Sequence, residues 1–170
     1  MSGKAFLMVE YQMTEAFLEL QRQIDPKDLF VSQRGFLPGL ETEPHVTIAP
    51  CLRNNVNPDN LKRFLQPLEK YKLEVIQLNV FENEDFDVLH FVVESDAFRS
   101  AYDKFAEKYK VGGNYPDYNP HITVANLKKG KGRAYTNLKI ASPLKMEPVG
   151  FAFSHLVNKV REKVIFTETE

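Results

Sequence analysis

The sequence predicts an α+β fold, a single domain over residues 1–170 of mainly antiparallel sheet with outer helices and a central cleft. Three observations predict it. Helical periodicities are separated by hairpin-like strand pairs, which argues against a strict βαβ alternation. A Pro-His-aliphatic-Thr-aliphatic segment occurs twice, 76 positions apart, each time in a half that also supplies a helix, so the chain reads as a pseudo-symmetric duplication of two lobes. A chain of 170 residues, 43% of them hydrophobic, buries roughly 70% of its unfolded surface, enough for a core and a preformed pocket.

The elements follow in order. Ala5 to Tyr11 reads as a strand, and Thr14 caps a helix whose Phe17, Leu20 and Ile24 recur at helical spacing until Asp25-Pro26 ends it. Residues 27–43, with Gly35, Pro38 and Gly39, lack periodicity and read as a long surface loop of the kind that carries function. Pro44 to Cys51 is a strand rich in β-branched residues. Asn57-Pro58 starts a second helix with Leu61, Phe64, Leu65 and Leu68 on one side, which Pro67 should kink or shorten. Leu73 to Phe81 and Phe86 to Glu94 form an antiparallel hairpin around Glu82-Asn83-Glu84-Asp85. Ser95 or Asp96 caps a third helix with the stripe Phe98, Ala101, Tyr102, Phe105 and Tyr109, ended by Gly112-Gly113. Pro120 to Leu127 repeats the earlier strand, Lys128 to Arg133 is a basic glycine-containing turn, and two more strands lie around Leu144–Ser154 and Leu156–Thr167.

Composition limits the function. Lys and Arg total 22 against 23 Asp and Glu, a formal charge of -1, so no global field draws the chain to duplex nucleic acid or an anionic membrane. Any phosphate must be met locally. The single cysteine, Cys51, excludes an internal disulfide framework and suggests a reducing compartment. The early apolar run Ala5 to Val9 is stopped by Glu10, too short for a signal segment or a membrane span. The expected location is the cytoplasm, and the expected state a monomer or weak oligomer.

The chemistry resides in His45-Val46-Thr47-Ile48 and His121-Ile122-Thr123-Val124, each preceded by proline. Strand alternation sends His45 and Thr47 to one face and Val46 and Ile48 to the other, and the second copy behaves the same way. Pro44 and Pro120 hold Glu43 and Asn119 extended. Two histidines from related strands supply the base and the acid that in-line phosphodiester cleavage needs on opposite sides of phosphorus. Imidazole suits both roles because its ordinary pKa is about 6.5. Thr47 and Thr123 can donate to the non-bridging oxygens. No metal or other cofactor is required, and a zinc site built on His45 and His121 lacks compact ligand spacing.

The remaining candidates have plainer readings. His90, among Phe86, Val88 and Val92, reads as a partly buried structural histidine, His155 as a turn residue at a strand boundary, and Cys51 as a half-buried thiol. There is no serine elbow and no P-loop.

At these residues the sequence resembles the two-histidine (2H) phosphoesterase superfamily, whose paired His-x-Thr motifs sit on a bilobal, pseudo-twofold α+β fold. Phe81-Glu82-Asn83, Asp87-Val88-Leu89 and Asn114-Tyr115-Pro116-Asp117-Tyr118-Asn119-Pro120-His121 look more narrowly like the bacteriophage anti-CBASS nucleases, which degrade cyclic oligonucleotide messengers of bacterial antiphage defence. The resemblance implies a catalytic set of His45, Thr47, His121 and Thr123. It also implies base-holding roles for Tyr11 and, from the C-terminal part, for Glu147 and Phe153, although the chain has no tryptophan to serve as an indole platform. A polyanionic, aromatic substrate further nominates Tyr115 and Tyr118 for stacking, worth about 1–3 kcal/mol per base, and Lys128 with Lys129, Lys131 and Arg133 for charge. The expected partner is a cyclic oligonucleotide. A cellular relative acting on RNA 2′,3′-cyclic phosphates or forming 2′–5′ bonds would carry the same motif, and a non-catalytic cyclic-nucleotide sponge is the alternative of another class. Which histidine begins as base is not written in the sequence.

Overall fold

The computed structural model describes residues 4–33, 37–53, 56–109, 117–140 and 143–166. Strands are β1 (Lys4–Tyr11), β2 (His45–Arg53), β3 (Leu73–Val75), β4 (Leu78–Glu82), β5 (Phe86–Val92), β6 (His121–Lys128), β7 (Leu144–Met146), β8 (Pro148–Val157) and β9 (Val160–Phe166). The α-helices are α1 (Glu15–Arg22), α2 (Pro58–Leu61) and α3 (Asp96–Lys108). The fold is α+β, as expected. One sheet has the order β2-β1-β8-β9, another β4-β5-β6, and β3 pairs with β7; every pairing is antiparallel.

Both motif strands are edge strands, and the two sheets approach each other where β2 meets β6. The hydrogen-bonding edge of β6 is covered by the long loop: Phe30 N donates to Asn126 O, Asn126 N to Gly39 O and Glu41 N to Val124 O, at 2.9, 2.7 and 3.0 Å. Covering an edge removes its tendency to recruit another strand. The Gln21 amide seals this seam from below, donating to Glu41 O and Val124 O at 2.7 and 3.0 Å.

The helices join the lobes rather than serving one each. Thr14 Oγ1 accepts from Phe17 N at 3.2 Å and starts α1, whose Phe17 ring packs 6.0 Å from Phe91 of the second sheet. Helix α3 packs against β2 of the first sheet, and its Phe98 meets Tyr71, which in turn meets Phe151. The resulting buried apolar cluster is continuous across both sheets.

Four element boundaries differ from expectation, one being that the strand expected over Leu144–Ser154 is two, β7 in the pair with β3 and β8 in the four-stranded sheet. The second helix lasts only one turn before a 3₁₀ segment, Lys62–Phe64, because Pro67 lacks the N–H and the space a continuing helix needs; a separate 3₁₀ turn follows at Leu68–Tyr71. The strand predicted over 73–81 is two strands, β3 pairing with β7 and β4 with β5. At the C-terminus the hairpin turn is Asn158-Lys159, both at positive φ (51° and 66°), the geometry of a two-residue loop matched to sheet twist. His155 therefore lies inside β8, not at a turn. Gly35, Gly112 and Gly113 fall outside the described residues, as does the side chain of Cys51. Among the described residues no helix is long and apolar enough to cross a membrane.

Candidate active site

Antiparallel register sets the site's two walls. On the first sheet Glu10 stands opposite His45 and Met8 opposite Thr47. On the second, Val92 stands opposite His121 and His90 opposite Thr123. Within each motif the histidine and threonine are half-buried while the aliphatic residues between and after them are fully buried, the alternation expected of a strand with one cavity face and one core face.

The two motifs hold their imidazoles in the same way. His45 Nδ1 lies 2.8 Å from Glu43 O, and His121 Nδ1 lies 2.8 Å from Asn119 O. A carbonyl accepts only, so each Nδ1 carries the hydrogen and each Nε2 is left with its lone pair for proton exchange. These carbonyls belong to the residues before Pro44 and Pro120, whose extended backbone the prolines enforce. Sequence inspection identifies the prolines as strand entries; their part in fixing the tautomer emerges only from the rotamers. His121 is buried deeply enough that its pKa falls below the ordinary histidine value, the Asn119 bond opposing and the charge of His45 reinforcing the shift. The two rings are thus electrostatically coupled.

A cavity of about 750 Å³ opens between the sheets, within the range of about 300–1,000 Å³ common for small-molecule sites. Thr47, His121 and Thr123 line it, with Phe6, Phe81 and Phe86 as aromatic surfaces. Asn83, Asn119 and Asn126 add polar groups that can donate and accept. Phe86 is backed by Phe30 in a parallel stack at 5.1 Å.

Tyr118 is in this wall, its ring stacked 4.2 Å from Tyr102 of α3 and its hydroxyl donating to Thr47 O at 2.7 Å. Burial pushes the phenol's pKa up, so it remains a donor. The bond ties the approach to β6 to the middle of β2. Tyr118→Phe is expected to lower stability by about 0.5–1.5 kcal/mol, read by urea denaturation, and turnover by less than about tenfold.

Other expected contacts are placed elsewhere. Tyr11 is 4% exposed and donates its hydroxyl to Tyr71 O, so its ring is core and not a base platform. Phe153 is 1% exposed, paired with Leu7 on the face turned from the cavity. The physical reason is parity: Tyr11 follows Leu7 and Val9, and Phe153 follows Phe151, on core-facing positions. Glu147 is exposed and does not line the cavity; its nearest charge is Lys72, at 4.0 Å. Lys128 is exposed at the end of β6, likewise outside the lining. Tyr115 lies outside the described residues.

The basic turn is bound into the fold. Arg133 holds Glu82 with two bonds of 2.8 and 3.0 Å, Lys129 donates to Asn83 O, and Lys131 approaches Asp28 at 3.9 Å. The turn is anchored by Asp87, 0% exposed, whose Oδ2 accepts from Gly132 N at 2.9 Å. Gly132 is required there, because a Cβ would come within 2.4 Å of Val80 Cγ2 and 2.9 Å of Asp87 Cβ. Cations that sequence reading missed sit on β9: Arg161 lies over the cavity-lining Phe6 ring at 5.2 Å, and Lys163 bridges Glu10 and Glu43 beside the first motif. Their signal was the alternation of Arg161 and Lys163 along one strand.

His90, expected as a partly buried structural histidine, is buried more fully than that. It is 2% exposed, and burial pushes its pKa down to about 4. His90 is therefore neutral in the folded chain down to about pH 4, whereas it titrates near about 6.5 when unfolded, and the shift of His121 has the same sign. Between those values the unfolded chain binds more protons, so stability falls as pH drops from about 6.5 toward about 4 and is unaffected by these groups above that window. For His90 the full difference is about 3 kcal/mol. Urea midpoints taken from pH 7 to pH 4.5 should decline less steeply in His90→Phe than in wild type; equal slopes would contradict the assignment. His155 shares the core-side face of β8 with Phe153, at 5.1 Å, with its Nδ1 buried and unpaired, and does not face the cavity. Among the described residues no three His, Cys, Asp or Glu side chains gather as a metal site.

Residues 38–162 match the family profile described as the 2′-5′ RNA ligase superfamily. Similar solved structures include E. coli LigT complexed with NADP+ (TM-score 0.53, 12% identity, covering 98% of this chain and 95% of that one). The same protein complexed with ATP gives 0.52 and 11%, covering 98% and 96%. Usb1 of Kluyveromyces marxianus gives 0.50 and 10%, covering 95% and 97%. At these identities the likeness shows the fold. A search of curated proteins finds no match to the sequence.

Proposed function

The chain belongs to the 2′-5′ RNA ligase superfamily of 2H phosphoesterases, and from that premise we propose that it is a metal-independent phosphodiesterase cleaving 3′–5′ bonds of cyclic di- or trinucleotides. The observation that carries the reading is the matched pair of imidazoles, each with Nδ1–H tied to the carbonyl two residues before it, on strands whose Thr47, His121 and Thr123 line one aromatic-walled cavity, with His45 just outside that lining. Desolvation disfavours the imidazolium of His121, so we assign His121 the role of base and His45 the role of acid in the first step. Nε2 of His121 takes the ribose 2′-OH proton, the 2′-oxygen attacks phosphorus, and the P–O5′ bond breaks as His45 protonates the departing oxygen. The products are a 2′,3′-cyclic phosphate and a 5′-hydroxyl. Water then opens the ring with the roles exchanged and leaves a 3′-phosphate. Thr47 and Thr123 donate to the non-bridging oxygens as charge builds on them. Tyr118, in the cavity wall, offers a stacking surface, and Arg161, over the ring of the cavity-lining Phe6, offers a positive charge next to it.

The cyclic substrate is favoured by the volume and by aromatic surfaces on both sides, Phe6 from the first sheet and Phe81 and Phe86 from the second, which suit two bases held at once. Together with the stretch around Tyr118-Asn119-Pro120-His121, this supports a role in antagonising bacterial antiphage (CBASS) signalling from the cytoplasm of an infected cell. The test incubates the protein in EDTA with a panel of cyclic dinucleotides beside an RNA ending in a 2′,3′-cyclic phosphate. Linearised dinucleotide is expected. Turnover of the RNA end alone would assign the RNA-processing activity instead, and tight binding of intact dinucleotide would make the protein a sponge.

A further inference from the structure

One ionisable ring at the site is left unused by that chemistry. His90 lies between Phe81, stacked at 3.8 Å and 16°, and His121, met at 5.2 Å and 66°. Phe81 also meets His121 edge-on at 4.8 Å, so the three rings form one packed cluster. The His90 ring plane is set by its Nδ1, 3.1 Å from Val88 O, an anchor a purely apolar ring would lack. On the first sheet His45 has no corresponding ring stack among the described contacts, which leaves the two catalytic imidazoles in unlike surroundings.

Resting on the function proposed above, we infer that His90 is a positioning residue: its ring, clamped by Phe81 and the Val88 carbonyl, walls His121 from water and fixes the plane in which His121 presents Nε2. An ordinary core histidine would add stability alone. A wall of this kind also sets the protonation of its neighbour, because desolvation disfavours imidazolium. The charged and titratable groups around the pair are few. Across β4 and β6 His90 faces the neutral Asn79 and Thr123, and beyond His121 lies His45. Glu82, which is paired with Arg133, and Asp117 line the same cavity, while Asp87 belongs to the opposite face with Gly132 and Lys129. None of these approaches His121 as His90 does.

The test titrates His121 by NMR in wild type, His90→Ala and His90→Phe, and measures the pH dependence of turnover in each. Removing the ring in His90→Ala should raise the His121 midpoint measurably above the wild-type one and move the acid limb of the rate profile with it. kcat should fall about tenfold with KM held within about twofold, the signature of a misaligned base. His90→Phe should keep the low midpoint. Should the alanine variant not fold, His90→Asn, which keeps a donor for Val88 O but removes the ring, takes its place. A His121 midpoint that moves in neither variant, or equally in both, overturns the inference. The NMR arm needs no substrate, so it fails or succeeds independently of whether cyclic dinucleotides are turned over.

Discussion

His121→Ala should lower turnover of a cyclic dinucleotide by about 10²–10⁴-fold, and His45→Ala by a similar factor, with substrate binding largely retained. The size follows from removing a general base or acid whose Nε2 is presented by a fixed tautomer. The double variant should be little slower than the worse single one, because a base without its acid has lost most of its use. In wild type the rate should follow a bell in pH, because one group must act as base and the other as acid and the charge of His45 bears on His121. Retained turnover in His121→Ala, or a single-limbed profile, would contradict two-histidine chemistry on this site.

Phe153→Ala and Tyr11→Ala should each cost about 3–5 kcal/mol of stability while leaving KM unchanged in protein that remains folded. Both rings are buried in the cluster behind the first sheet, so truncation opens a cavity in the core and removes nothing from the substrate's walls. Tyr11→Ala additionally leaves the Tyr71 carbonyl without its phenol donor. Urea denaturation reads the first effect and steady-state kinetics the second. A raised KM at wild-type stability would return these residues to base binding.

These rings illustrate where sequence reading succeeds and where it fails. The strands carrying His45 and His121 were legible because alternation is local: proline, histidine, aliphatic and threonine state their faces without reference to anything distant. The same parity rule, applied to Leu7, Val9 and Tyr11, places Tyr11 in the core, against the base-holding role that the resemblance implies. The basic turn misled for a different reason. Lys129, Lys131 and Arg133 are adjacent in sequence, yet their partners, Asn83, Asp28 and Glu82, come from elements 46 to 103 residues away, so only the fold shows that these cations are engaged.

By itself the sequence determined the α+β class, the two motif strands, the caps of the first helix and the family resemblance, all of which rest on contacts within a few residues or on a repeated pattern. Tertiary structure alone decided that both motifs occupy facing edge strands, that Phe30, Gly39 and Glu41 cover the edge of β6, that β9 lays Arg161 over Phe6 and Lys163 against Glu10 and Glu43, and that His90 packs on His121. The reason is that pairing partners and burial are set by chain segments far apart in sequence. Whether an imidazole is neutral or charged depends on the water those segments exclude.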